Sequence, residues 1–192
     1  MRGSFYEVVI YFMLYSFIGW LLEVAYAFYK ERRFVNRGFL AGPLCPIYGF
    51  GTLLILNISS VLKFQHPSLL TNAVFIVLLT SALEYLTGYV LETFLHMKAW
   101  DYSNEFFNLN GRVCLKFSLF WGLLGCFVIY GLHPIVVRYV ETANEDMKIL
   151  VSFALLGCVL ADTAKAVLPR IDFIKQIKAH VRVSLPLHIF KI

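Results

Sequence analysis

Charged residues are scarce in this sequence. Asp, Glu, Lys and Arg make up 15% of the 192 residues, whereas hydrophobic residues make up 59%. A soluble globular domain carries roughly 25% charged residues. The shortage of charge therefore excludes an ordinary soluble domain, and it predicts an integral membrane protein that forms a single all-α helical bundle.

Cysteines are few and form no recognisable pattern. The chain has four of them, and no two have the spacing of a zinc-binding pair. Each lies in or beside an apolar run, which favours small buried thiols over a disulfide framework. They are Cys45, Cys114, Cys126 and Cys158.

Motifs for catalysis, metals and nucleotides are also lacking. The sequence contains no nucleophile–base pattern, no HExxH and no phosphate-binding GxxxxGK[ST]. Glu92 and His96 have the spacing of helical metal ligands, but two ligands are too few for a metal site. We therefore predict no catalytic residues, no metal and no cofactor, although an enzymatic role stays open.

Five apolar stretches are long enough to be membrane spans, which need about 20 residues. They suggest a transmembrane bundle over residues 1–168, followed by a basic cytoplasmic tail at 169–192. About 172–185 of this tail could form an amphipathic helix on the inner leaflet, or the tail could be solvated. The predicted spans are about 5–29, 44–62, 69–95, 113–137 and 149–168.

The basic residues predict the orientation of the bundle. The net charge of +5 does not suggest nucleic acid as a partner, because the basic residues fall between the apolar runs. With five spans, 13 of the 17 Lys and Arg residues lie on one side and four on the other. The positive-inside rule then places the N-terminus outside and the C-terminus in the cytoplasm. The links 30–43 and 98–112 would face the cytoplasm.

One short pattern occurs twice, 69 residues apart. We interpret it as a tandem repeat of two-helix units, about 8–63 and 77–132, with parallel orientation and a site at the repeat interface. The matching residues are Gly19, Leu22, Glu23, Leu40, Gly42 and Cys45 in the first unit, and Gly88, Leu91, Glu92, Leu109, Gly111 and Cys114 in the second.

Glu23, Glu84, Glu92 and Asp162 lie inside the predicted spans, and ionisable residues at such positions are candidate functional residues. From the helical rise, Glu23, Glu92 and Asp162 would lie roughly 8–10 Å inside the inner boundary. Glu84 would lie near the midplane, without an evident partner at that depth. Glu84, Gly88, Glu92 and His96 are spaced by four, which predicts one shared helix face.

Two interpretations of these charges stay open. In the first, they form buried salt bridges with the nearest cations, and Asp162 pairs with a lysine three residues later in the fifth helix. In the second, they line a cytoplasm-facing polar cavity that binds a cation, a proton or the cationic group of a substrate. The available cations are Arg112, Lys116 and Lys165.

The two links between paired spans have different characters. The first is rich in Gly and Pro and contains Gly42, Pro43, Cys45 and Pro46. It predicts either a partly re-entrant loop or a kinked start of the second span. The second link is aromatic, which suits the membrane interface. Within it, Asn110 and Arg112 could bind a polar group, and Gly111 and Cys114 repeat the loop residues of the first.

Five segments lie in order along the chain: SFIGWLLEV, RRFVNRGFLAGPLCPIYGFG, LEYLTGYVLE, WDYSNEFFNLNGRVC and FSLFWGLLG, the last followed by HP. They resemble one family of bacterial membrane proteins, the CmpB-like type IV ABC-transporter permeases. The resemblance covers about residues 10–165 and implies a bacterial plasma-membrane location and a role as a transporter or permease component. Because five helices are few for an alternating-access pore, we expect a homodimer or a separate ATPase subunit.

Two other functions are compatible with the residues. One is a membrane-embedded enzyme that acts on a lipid or a small amphiphile, with one of the buried carboxylates as acid or base. The other is an accessory or sensor protein that does not transport.

Overall fold

The computed structural model of the protein describes residues 4–36, 39–62 and 69–184. Apart from one short hairpin, the regular structure of this part of the chain is helical. Its elements are α1 (Phe5–Glu31), α2 (Pro46–Leu62), α3 (Leu69–Leu95), β1 (Asn108–Leu109), β2 (Val113–Cys114), α4 (Leu115–Phe127), a π-helical segment (Val128–Leu132), α5 (His133–Thr142) and α6 (Glu145–Ser184).

The predicted all-α class is confirmed, and a helix is present in each of the five predicted places. Four helical stretches are long and apolar enough to cross a membrane: Phe5–Glu31, Leu69–Leu95, Leu115–Thr142 and Glu145–Pro169. The second helix, α2, has only 17 residues and so extends about 25 Å. The protein is therefore a multi-pass membrane protein with four long candidate spans and one shorter apolar helix.

Helix α2 begins beside the middle of α1, not at its end. The backbone N–H of Cys45 donates to the carbonyl of Ser16 over 2.9 Å. From there α2 runs back toward the N-terminal end of α1, since Gly49 packs on Phe12 and Ser16. A Cβ at Gly49 would collide with the Phe12 carbonyl, so glycine is what permits this close approach of the two helices.

Helices α3 and α4 form a second antiparallel pair. The Ser81 hydroxyl donates to the Ser118 hydroxyl over 2.7 Å. Further along the pair, Gly122 lies against Val77. Small residues of α4 thus let the two helices approach closely, as is common between membrane helices.

The predicted fourth span continues beyond residue 137 and ends at Thr142. It contains the π-helical segment immediately before His133 and Pro134, where the His133 N–H bonds to the Val128 carbonyl. Because proline lacks an N–H and its ring crowds the preceding turn, the wider π turn accommodates Pro134 without ending the helix. His133 Nδ1 lies 2.9 Å from the Tyr15 hydroxyl, which ties this helix to α1.

The last helix extends beyond the predicted span at both ends, although its long apolar part ends at Pro169, close to the predicted end. Helix α6 begins at Glu145, four residues earlier than expected, and it continues through Pro169 to Ser184. At its start, Lys148 is only 3% exposed and pairs with Glu7 of α1 and with Glu145. A proline removes one helical hydrogen bond but did not stop this helix. The predicted amphipathic segment is helical up to residue 184; residues 185–192 lie outside the described part.

Candidate functional site

The first link folds back into the bundle. Asn36 accepts a hydrogen bond from the Trp20 indole over 2.9 Å and donates to the Ala41 carbonyl over 3.0 Å. Leu40 beside it is buried. Residues 39–45 are non-helical, and α2 starts at Pro46, a position in a first helical turn that suits proline. Of the two predicted forms, the structure has the non-helical loop.

Asp162 of α6 holds this link in place. Its Oδ2 accepts the backbone N–H of Gly42 over 2.8 Å. In the described part of the chain, the ion pair expected between Asp162 and Lys165 is not formed. The carboxylate instead satisfies a loop N–H that has no helical partner.

The second link ends in a β-hairpin that the sequence did not predict. Strands β1 and β2 pair in antiparallel register, with Asn108 opposite Cys114. Asn110 and Gly111 at the turn both have positive φ values, 54° and 68°, which glycine and asparagine tolerate best. The Trp100 indole donates to the Arg112 carbonyl over 2.7 Å, and Tyr102 N–H donates to the Gly111 carbonyl over 2.8 Å.

The hairpin brings the Arg112 side chain into contact with the Glu92 carboxylate. The guanidinium donates to Glu92 Oε2 over 2.6 and 3.0 Å and lies over the rings of Tyr85 and Tyr89. Asn110 donates to the Tyr85 hydroxyl over 2.9 Å. Glu92 is thus neutralised by one of the predicted cations.

Other predicted site residues lie apart from this group. Lys116 pairs with Glu105 over 3.3 Å on an exposed surface. The prediction that His96 shares a helix face with Glu84 and Glu92 is wrong, because α3 ends at Leu95 and His96 has a left-handed backbone with φ 48°.

Glu84 is the most buried carboxylate of the described chain, with 6% of the residue exposed. Its Oε1 accepts a hydrogen bond from the Tyr102 hydroxyl over 2.9 Å and another from the Trp121 indole over 3.3 Å. Its Oε2 is buried and has no hydrogen-bond partner among the described residues. Glu84 therefore has partners at its depth, contrary to expectation, but both are neutral.

Glu23 belongs to the same cluster. Its Oε1 accepts the Tyr48 hydroxyl over 2.6 Å. The Tyr48 ring contacts the edge of the Trp121 ring, with centroids 5.2 Å apart. We call this set the carboxyl–aromatic cluster; it consists of Glu23, Tyr48, Glu84, Tyr102 and Trp121.

The cluster combines two carboxyl groups with neutral donors. In the described part of the chain, neither Glu23 nor Glu84 has a cation within salt-bridge distance. Burial raises the pKa of Tyr102 above its usual value. The Tyr102 hydroxyl therefore stays protonated and acts as a donor.

Cys45 lies next to this cluster on the first link. Its carbonyl accepts the backbone N–H of Tyr48 over 3.1 Å. The second copy of this position, Cys114, is almost fully buried at the end of β2.

The sequence did not single out three members of the cluster: Tyr48, Tyr102 and Trp121. Tyr102 belongs to the second link, whose aromatic residues suit the membrane interface; Phe106 and Phe107 of this link lie exposed, whereas Tyr102 binds Glu84. A usable signal existed, because a buried Tyr or Trp in an apolar run needs a partner for its polar atom. The described residues contain no group of three or more His, Cys, Asp or Glu side chains that could hold a metal.

Comparison with known proteins gives one family. Residues 10–167 match the family described as Putative ABC-transporter type IV. The searches of curated proteins and of solved structures found no match.

Proposed function

Since the chain belongs to the Putative ABC-transporter type IV family, we propose that it is a permease component whose polar site lies between two homologous halves. The site is the carboxyl–aromatic cluster, and its ligand is a cation or the cationic group of a substrate.

The proposed halves are the two helix pairs, at about 8–63 and 77–132. Their internal contacts support this division. Phe12 and Gly49 pack together in the first pair, and Ser81 and Ser118 do so in the second. Each residue of the second contact lies 69 positions after its counterpart in the first, which is the offset of the sequence repeat.

The cluster draws on both halves. Glu23 and Tyr48 come from the first, whereas Glu84, Tyr102 and Trp121 come from the second. The Tyr48–Trp121 ring contact joins the two carboxyl groups across the boundary. This contact is the observation that supports the proposal, because it links the two aromatic residues that bind the two acids.

Charge balance favours a cationic ligand. Charges buried in the bilayer interior cost several kcal/mol unless they are paired. Glu92 forms a salt bridge with Arg112, and Asp162 accepts a hydrogen bond from the backbone N–H of Gly42. Glu23 and Glu84 have only neutral donors. The two interpretations of the buried charges thus apply to different residues: Glu92 is structural, and the cluster binds the ligand.

The site would open toward the cytoplasm, where both links lie in the predicted orientation. The N-terminus would be outside the cell and the C-terminus inside, in a bacterial plasma membrane. A separate ATPase subunit would supply the energy, because the chain has no nucleotide-binding motif. A homodimer would complete a pore that five helices are too few to form.

Purified protein provides the test. Thermal unfolding in detergent would first be measured with a panel of inorganic cations, primary amines and polyamines. Uptake of any stabilising compound into proteoliposomes would then be compared for the wild type, Glu84→Gln and Glu105→Gln. We expect Glu84→Gln to lose stabilisation and uptake. Glu105→Gln, which makes the same chemical change on the exposed pair with Lys116, should retain both. Equal uptake by all three proteins would refute the site.

A further inference from the structure

The hydrogen bonds to Glu84 are distributed unevenly between its two oxygen atoms. Both donors, the Tyr102 hydroxyl and the Trp121 indole, reach Oε1. Oε2 is buried and accepts nothing from the described residues. An ionised carboxylate has two equivalent oxygens that both attract donors, whereas a neutral carboxylic acid has one carbonyl oxygen and one hydroxyl. The observed pattern is that of a neutral acid whose carbonyl oxygen is Oε1.

The surroundings of Glu84 also disfavour a negative charge. The titratable groups that face it are Tyr102 from the second link and Glu23 from α1, and Glu23 repels a second negative charge. Two further titratable groups lie near these residues: Tyr48 of α2 is close to Glu23, and Cys114 of β2 is close to Tyr102. Arg112, one of the candidate cations, is engaged with Glu92. A proton on Oε2 removes the charge and leaves one donor unused, which costs far less than an unpaired buried charge.

We propose that Glu84 is a proton-binding site: it holds a proton on Oε2 while the Tyr102 hydroxyl and the Trp121 indole donate to Oε1. This inference rests on the function proposed above and names the proton as an ion that the permease binds. The cationic group of a substrate would compete with the proton, because each neutralises the same carboxyl group. Oε2 is too enclosed to accept a larger cation in this conformation.

Infrared difference spectroscopy of the full-length protein in lipid bilayers tests this directly. A protonated carboxyl group has a C=O stretching band that an ionised carboxylate lacks. We expect this band at neutral pH in the wild type and in Glu105→Gln, and its loss in Glu84→Gln. The band should also disappear from the wild type at alkaline pH, because Glu84 then releases its proton.

A second variant covers the case in which Glu84→Gln fails to fold. Tyr102→Phe removes one hydrogen bond to Oε1 without touching Glu84 itself. Since a hydrogen bond to a carbonyl oxygen weakens the C=O bond, its removal should shift the band to higher frequency. No shift in Tyr102→Phe, no band at neutral pH, or a band that persists at alkaline pH would each overturn the proposal.

These measurements do not depend on transport. A protein that takes up a cation but shows no such band would refute the proton site and leave the permease function standing. A band that titrates in a protein without any uptake would support the proton site and count against the permease function.

Discussion

Trp121 and Tyr48 meet edge to face, with their ring centroids 5.2 Å apart. Each is also hydrogen-bonded to a carboxyl group, Trp121 to Glu84 and Tyr48 to Glu23. Two acids from different helix pairs are thus linked through one aromatic contact. The stability of the bundle also depends on close helix packing and on ion pairs elsewhere in the described chain, and both can be tested.

Replacing Gly49 by Ala should destabilise the protein by about 1–3 kcal/mol, the usual cost of overpacking a filled interface. The added methyl group would collide with the Phe12 carbonyl and the Ser16 side chain. Chemical denaturation in micelles would measure the loss. Gly157→Ala is the matched control, because nothing lies within 4 Å of its Cβ position. Equal stability of both variants would mean that α1 and α2 do not approach as described.

Lys148→Met should lower the unfolding temperature by several degrees. Lys148 is almost fully buried between Glu7 and Glu145, and its loss leaves Glu7 without its cation. Lys98→Met serves as the control, because the Lys98–Asp101 pair is largely exposed and such pairs contribute little. Similar unfolding temperatures for the two variants would contradict the buried pairing of α1 with α6.

Glu92 and Arg112 should behave as one structural unit. We expect Glu92→Ala and Arg112→Ala each to destabilise the protein, and the double variant to lose less than the sum of the two, since each single change strands the partner charge. A thermodynamic cycle from denaturation in micelles gives the coupling. Uptake should survive in whatever fraction of Glu92→Ala remains folded. Additive losses would argue that the pair contributes no mutual stabilisation.

Cys45 should react slowly with maleimides in the folded protein. Its side chain is partly buried, and the first link that carries it is tied to α1 and to Asp162. Mass spectrometry of a variant that retains only Cys45 would give the rate. The same variant unfolded in denaturant is the reference, and equal rates in the two states would mean that the link is not held in the bundle.

Asp162→Leu should increase the labelling rate of Cys45 several-fold, because the Gly42 N–H loses its acceptor and the first link is released. Asp162→Asn keeps an acceptor oxygen, so its labelling rate should stay close to that of the parent. If leucine and asparagine had the same effect, Asp162 would not be what holds the link.

The predicted orientation can be tested independently of the site. A fluorescent protein fused to the C-terminus should fluoresce, and alkaline phosphatase fused there should be inactive, because the excess of Lys and Arg places that end in the cytoplasm. Active phosphatase at the C-terminus would reverse the orientation.

Much of the fold follows from the sequence because it depends on local composition. An apolar run forms a helix in a membrane, since its backbone polar groups find no other partners there. The five helices accordingly lie where the apolar runs predict them. The ends are less accurate: α6 continues past Pro169, and a π turn carries the fourth span through Pro134. Whether a helix ends at a proline depends on how the neighbouring turns compensate for the lost hydrogen bond. Local composition does not reveal this.

At the candidate site, the contributions of the sequence and of the tertiary structure are easier to separate. The sequence by itself identified the carboxylates, because a charge within an apolar run is conspicuous whatever surrounds it. Only the tertiary structure decided their partners. Glu84 lies 37 residues from Trp121 and 18 from Tyr102, and both links must fold back before these side chains meet. Arg112 pairs with Glu92 for the same reason, since an unpredicted hairpin sets its direction. Helices in a membrane follow from local hydrogen bonding, whereas the pairing of buried polar groups is decided by distant segments brought together in packing.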